Sequence, residues 1–549
     1  MIIGKKPPRP HALGEPLRFD NHPLPKTRRQ FLAAGMISGG GMVIGPAWLA
    51  GLLKSNAANA ANQIALSPDI QALLPGGQCS VATASGAIPF ICFDLAGGAN
   101  LVGSEVLVGV QGGQSNFLST AGYGRLGVPG NMVPSSSANI DPALGLLWHA
   151  DGAIKRGIMS KATTAATAAG TNGAVFCAMS QNDTQSNPHN PMYAIAMAGA
   201  KGLLLTLTGT ESSASGGNSM APMMYIDPSL QPTTINRPSD ATSLVSTGGA
   251  SADPVSVAVM ESQARISGGT ATWDGSSNAA FSGALSAPNG GTPGVQILPS
   301  SPVNPGDQTD GMIKNQVRCS YVASANTAAT YGNPAALDPT QEPLITGGAT
   351  PIFTASDFQD NDVAATATIM KLVIDGYAGA GTIAMGGYDY HDGTRATGET
   401  RNFKAGQMIG AVLEYAQRRG KPVMVYVISD GSLTSTGMPD NSTAGRGKLG
   451  WQGDNESVSS TFFLVYSPKG RPQLRNGVAG QQIGYFSADG SVVGTSSPVA
   501  NNVTSLVQAV VLNYMGLAGT DSQFTTIFPT QGLGSGSTLA GLTAFAPIV

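Results

Sequence analysis

Residues 422–429 read PVMVYVIS, one apolar run closed by Asp430-Gly431. A run this short, rich in β-branched residues, fits a strand. Because it shows no polar alternation, that strand has to be covered on both faces. Similar runs recur as FICFDL from Phe90, GAVFCAMSQ from Gly173, AGTIAMGG from Ala380 and STFFLVYS from Ser460. Between them lie stretches with helical apolar spacing. SDFQDNDVAATATIMKLVIDG opens on a Ser/Asp cap, and NFKAGQMIGAVLEYAQRRGK places Met408, Ile409, Val412, Leu413 and Ala416 on one face. HNPMYAIAMAGA and VTSLVQAVVLNYMGLAG also read as helices, and Leu144 to Lys161 is expected to be a further one. Strands alternating with helices predict an α/β fold, with a mainly parallel central sheet between helical layers.

Ligands of such sheets bind beyond the carboxyl ends of the strands. Polar residues that follow the apolar runs are therefore the candidates. The first run gives Asp94 and, after Gly97-Gly98, Asn100. The run ending at Met179 leads into SQNDTQSNPHN, with Asp183 and His189. GGYDYHDGT supplies Asp389 and His391, and VISDGSLTS supplies Asp430. Asp-x-His at a strand end offers two ligands to one ion, and carboxylates and imidazoles from several loops suit zinc, manganese or calcium. The same residues also suit plainer roles. Asp389 can cap a turn, His189 can set the entry of a helix, and Asp430-Gly431 can be a turn alone. His149, within LLWHADGAI, reads as structural. Arg446 and Lys448 in GRGKLGWQGDNE read either as anion binders or as part of a polar loop.

The front of the chain carries a different signal. Arg28-Arg29 precede Phe31-Leu32, a Gly-rich apolar stretch runs to about Leu53, and Ala58-Asn59-Ala60 is a small-x-small cleavage site. This pattern matches a twin-arginine export signal over 1–60, either cleaved or kept as an anchor. No other stretch reads as membrane-spanning. The remaining divisions are 61–204 and 351–549 as two parts of the α/β domain. The Ser/Thr/Gly-rich 205–350 reads as an insertion or cap. The four cysteines contain no C-x-x-C, so they read as one or two disulfides of an exported protein or as buried thiols. Without the first sixty residues, 21 basic and 30 acidic residues remain, which excludes a basic surface for nucleic acid.

In this order the pieces resemble domain of unknown function 1501. That bacterial family is a twin-arginine-exported, sulfatase-like branch of the alkaline-phosphatase superfamily. The family's Leu-x-Gly-Gly is similar to FDLAGGAN, its Gly-Gly-Trp-Asp-Thr-His to GGYDYH, and its Ser-Glu-Phe-Gly-Arg-Thr to SDGSLT. Its closing helix and Phe-Pro resemble SLVQAVVLNYMGLAGTDSQFTTIFP. The likeness runs from about residue 27 to 530 and is poor over 205–350. It implies an alkaline-phosphatase or sulfatase-like fold in the periplasm or cell envelope. It also implies a metal centre at Asp389, His391 and Asp430 and, if active, hydrolysis of a phosphate or sulfate ester. Asp94, Asn100, Asp183, His189 and Lys448 are expected nearby. The family's Gly-x-Asp-His has no counterpart. Its place falls near GRGKLGW, where Lys448 stands. That departure predicts a degenerate site, with a small anionic ligand or an envelope protein as partner, and no metal if the missing histidine is essential.

Overall fold

In the computed structural model, the structure describes residues 66–73, 88–180, 187–244, 261–265, 318–319, 321–322, 325 and 334–549. The export segment 1–60 and Asp183 lie outside the described residues. In chain order the elements used below are β1 (Phe90–Leu95), β2 (Ile140–Asp141), β3 (Trp148–His149), α1 (Ala153–Lys161) and β4 (Thr171–Phe176). Next come α2 (Met192–Met197), β5 (Leu205–Gly209), β6 (Thr233–Thr234), α3 (Asn361–Ile374), β7 (Ala378–Met385) and α4 (Ala396–Arg419). The last are β8 (Val423–Ser429), β9 (Leu433–Pro439), β10 (Leu449–Asp454), β11 (Thr461–Tyr466), β12 (Gln482–Ile483) and α5 (Val503–Leu517).

The apolar runs form an eight-stranded sheet in the order β12-β4-β11-β8-β1-β7-β5-β6. All neighbouring pairs are parallel except those of β11, which is antiparallel to both β4 and β8. The two-sided cover predicted from sequence is visible residue by residue. Ile91, Phe93 and Leu95 of β1 join one core, with Val423, Val425 and Val427 of β8 and the inner faces of α3 and α4. Phe90 and Cys92, with Met424, Tyr426 and Ile428, join a second core against α2 and α5. Alternate side chains of a strand point to opposite faces, so each run has to be apolar on both faces over most of its length.

The helices end where local chemistry stops them. Asp360 caps α3 by accepting from the Asp362 amide at 2.9 Å, and Asn502 caps α5 by accepting from Ser505. Gly420, left-handed at φ 61°, closes α4. Helices α1 and α4 approach at backbone distance. A Cβ on Gly406 would fall 2.0 Å from the Ile154 carbonyl oxygen, and one on Gly157 would fall 2.1 Å from that of Phe403.

Two boundaries differ from the expectations. Only Ala153–Lys161 of the 144–161 stretch is helical. Trp148 and His149 instead pair antiparallel with Ile140 and Asp141. Gly145 at φ 81° lies ahead of that pair, and Trp148 packs edge-on to Phe462 at 5.3 Å, so apolar spacing here reflects irregular packing. In addition, β5 and β6 lie within 205–350 yet extend the central sheet beside β7, so the start of that region is part of the α/β core. Cys92 and Cys177 are buried free thiols, and Cys319 is disulfide-bonded. No helix among the described residues is long and apolar enough to cross a membrane.

Candidate functional site

β8, β1 and β7 are adjacent and in register, with Leu95 opposite both Met385 and Ser429. The loops that follow them therefore leave from one edge of the sheet. Gly97 (φ 127°) passes so close to the β7 loop that a Cβ there would lie 2.4 Å from the Asp389 nitrogen. The Gly-Gly pair is what lets the two loops cross. This edge gathers Asp94, Asn100, Asp389, His391 and Asp430, but in two layers.

The inner layer is sealed. Asp94 is fully buried; its Oδ2 accepts from the Ser219 amide at 2.6 Å and its Oδ1 from the Ser219 hydroxyl at 3.0 Å. Burial pushes its carboxyl up to about 7 against those bonds, with the charge of Asp430 adding to the rise. Asp430 is buried too. Its Oδ1 accepts from the Gly97 amide at 2.8 Å, and Asn218 Nδ2 reaches its Oδ2 at 3.5 Å. Ser429 Oγ accepts from the amides of Gly98 and Ala99 and donates to the Leu95 carbonyl. Gly217 fits tightly over the carboxylate, since a Cβ there would lie 2.7 Å from Asp94 Oδ2. The segment 213–219 thus occupies the space directly above the strand ends.

The outer layer faces solvent. His391 Nε2 lies 2.8 Å from Asp389 Oδ1, with side-chain exposures of 42% and 58%. Asp454, at the end of β10, completes a group in which one ligand atom from each residue lies within 4.8 Å of the others. The loop bearing Asp389 and His391 is fastened to β10 by Gly393 N to Trp451 O (2.9 Å) and Trp451 N to Thr394 O (3.0 Å). Two carboxylates and one imidazole, with the remaining directions open to water, form a donor set that fits a divalent cation. Asp430, expected as the third ligand, is not in this group; its carboxylate serves the Gly97 turn instead. Neither Asp454 nor Ser219 was among the residues singled out from the sequence. The only hints are the Asp-Asn-Glu that ends GRGKLGWQGDNE and the Ser/Gly-rich SSASGGNS after β5.

The other residues are placed separately. Lys448 is fully buried, and its Nζ donates to the Asp151 carbonyl (2.6 Å) and to Glu399 Oε1 (2.8 Å). Burial holds its pKa below the ordinary lysine value. Arg395 also bonds Glu399 at 2.9 Å while lying 4.5 Å over the Trp451 ring. Lys448 is therefore a core cation with carboxylate partners, not a free anion binder. Asn100 is buried and donates its Nδ2 to the Leu433 carbonyl; its Oδ1 has no partner among the described residues. His189 is buried, neither ring nitrogen has a hydrogen-bond partner among the described residues, and burial lowers its pKa to about 4, so it is neutral at pH 7. Asn187, two residues earlier, donates to the Asp430 carbonyl at 2.8 Å and so ties this segment to the end of β8. His149 is structural, bonded through Nε2 to the Met132 carbonyl and through Nδ1 to the Asp151 amide.

Comparison with protein-family models, with curated proteins and with solved structures gives no match. The functional reading therefore rests on the motifs and on this geometry.

Proposed function

We propose that the chain is an exported periplasmic or cell-envelope protein on a sulfatase-like scaffold. In this reading it binds a divalent cation at Asp389, His391 and Asp454, and presents that cation to an anionic ligand or envelope partner. The observation that carries the reading is the outward-facing Asp389–His391–Asp454 group at the carboxyl edge of the sheet. The mostly parallel sheet with β11 reversed is compatible with the scaffold. The Arg28-Arg29 segment and the disulfide at Cys319 support export to an oxidising compartment. A bound ion would supply a positive charge that attracts an oxyanion; the protein's part is to hold two carboxylates and one imidazole in place.

Binding is favoured over ester hydrolysis for a specific reason. Hydrolysis needs an activated nucleophile placed in a water-excluding pocket. Here the strand-end space is filled by Ser219 and Gly217 against Asp94, and Ser429 is committed to three backbone groups.

Calorimetric titration of the metal-free full chain with zinc, manganese and calcium tests the reading. One equivalent of ion should bind, and Asp389→Asn with His391→Ala should abolish binding. Turnover of aryl phosphate or aryl sulfate should stay at the level of the doubly substituted protein. Absence of any bound ion would sink the proposal. Robust metal-dependent turnover lost in His391→Ala would replace it with the hydrolase reading. Export is tested by replacing Arg28 and Arg29 with Lys, which should leave the precursor in the cytoplasm.

A further inference from the structure

Three exposed methionines lie within five residues, at and just before one short turn. Met220, Met223 and Met224 belong to the stretch Met-Ala-Pro-Met-Met and are 40%, 82% and 53% exposed. The turn itself is anchored. Ala221 and Pro222 are buried, and the Tyr225 amide donates to the Pro222 carbonyl at 2.9 Å. The Tyr225 hydroxyl accepts from Gln508 Nε2 at 2.7 Å, and its ring packs edge-on to Phe528 at 5.5 Å. The backbone is thus pinned to the core while the three side chains point to solvent.

Residue type separates this patch from a merely apolar surface. Six of the eight large hydrophobic residues exposed among the described residues are methionine, and three of those six lie in this stretch. No leucine, isoleucine or aromatic residue is among the eight, so what the surface offers there is thioether sulfur. From Ser212 to Ile226 the chain carries no charged residue, so a divalent ion would find no anionic ligand within the stretch. A thioether is a soft, uncharged donor that selects soft ions. Met223 and Met224 are adjacent at the start of the 3₁₀ turn Met223–Tyr225, and Met220 lies three positions back, ahead of Pro222. Each sulfur sits on a stem with three rotatable bonds, which gives it the reach to meet its neighbours at one point.

We propose that this turn is a binding site for a soft monovalent metal ion, Cu(I) or its analogue Ag(I), held by the sulfurs of Met220, Met223 and Met224. The site is chemically opposite to Asp389–His391–Asp454, whose oxygen and nitrogen donors select harder divalent ions. It does not depend on the function proposed above. The free thiols of Cys92 and Cys177 are fully buried and do not compete for the ion.

The test is titration of the full chain with Ag(I), and with Cu(I) against a chromophoric chelator. The parent should bind one ion, and the triple variant M220L/M223L/M224L should bind at least tenfold more weakly. Leucine keeps the apolar surface and approximate volume, so a docking role would survive the change while sulfur ligation would not. Because all three side chains are exposed, thermal melting of the triple variant should match the parent. The single Met223→Leu, at the most exposed position, should give an intermediate loss. M159L/M438L and His391→Ala should leave Ag(I) binding unchanged. Equal Ag(I) affinity in the triple variant, no binding by the parent, or loss of binding in His391→Ala would overturn the proposal.

Discussion

The α-carbon of Gly97 packs directly against the backbone of Asp389, and a Cβ on Gly97 would sit 2.4 Å from the Asp389 nitrogen and 2.7 Å from its Cβ. The turn after the first strand and the loop that carries the proposed cation ligands are therefore a single mechanical unit. Gly97 also donates its amide to Asp430, at a φ of 127° that other residues rarely adopt. Gly97→Ala is expected to cost about 1–3 kcal/mol of stability through strain and overpacking. It should also displace Asp389 and weaken cation binding. Urea unfolding and calorimetric titration of the same variant check both effects. Unchanged affinity would show that the two loops are not coupled.

Asp430 and Asp454 are expected to separate cleanly. Asp454→Asn removes a proposed ligand at an exposed strand end, so cation affinity should fall at least tenfold with little change in the unfolding midpoint. Asp430→Asn weakens the acceptor for the Gly97 amide inside the protein. It should lower stability by about 1–3 kcal/mol while changing cation affinity less than Asp454→Asn does. The reverse pattern would restore Asp430 as the third ligand.

The sheet was legible because its signal is local. Phe90 to Phe93 and Val423 to Ile428 are apolar at every step, and only burial on both faces explains that. Asp389 and His391 were legible because two residues on one loop declare their own proximity. Asp454 was not, since its meeting with His391 depends on the β9–β10 hairpin, whose register shifts between Leu449 and Trp451 and again before Asp454. Lys448 was misjudged for a similar reason. Its partner Glu399 is 49 residues away on α4, so the sequence shows a free cation where the fold has a paired one. Ser219 lies in a Ser/Gly stretch without periodicity, and nothing local points it at Asp94.

The contact between α1 and α4 gives a third expectation. Gly406 and Gly410 face the backbone of Ile154 and Ile158, and Gly157 faces that of Phe403, each with no room for a methyl group. Gly406→Ala would improve helix propensity in isolation by about 1 kcal/mol. The 2.0 Å approach to the Ile154 carbonyl should reverse that sign and give net destabilisation of about 1–3 kcal/mol. The urea midpoint decides between the two effects, and a stabilised variant would mean that the helices are free to separate.

Two buried carboxyls should make stability fall as pH rises. Burial raises Asp94 to about 7, and burial likewise raises Glu105 to about 7 against the pull of Lys448. In the unfolded chain both ionise near 4. Between about pH 4 and 7 these two groups hold more protons in the folded state than in the unfolded state, so their contribution is fully present below that window and is lost through it. Asp440 acts in the opposite sense. Hydrogen bonds from Ser442 and from the Arg395 amide hold its carboxyl down at about 2, so its contribution is present above pH 4 and is lost as pH falls through about 2. His189 and His149 oppose the two carboxyls: burial lowers both imidazoles to about 4, so between about pH 4 and 6.5 the unfolded state holds more protons at these groups and their contribution grows as pH rises. Asp94→Asn keeps an acceptor for the Ser219 amide and a donor for its hydroxyl, but it cannot ionise. The urea midpoint at pH 8 minus that at pH 5 should be more positive in Asp94→Asn than in the parent, and more positive again when Glu105→Gln is added. If the difference is the same in the parent and in the doubly substituted protein, Asp94 and Glu105 do not carry the buried protons that the geometry requires.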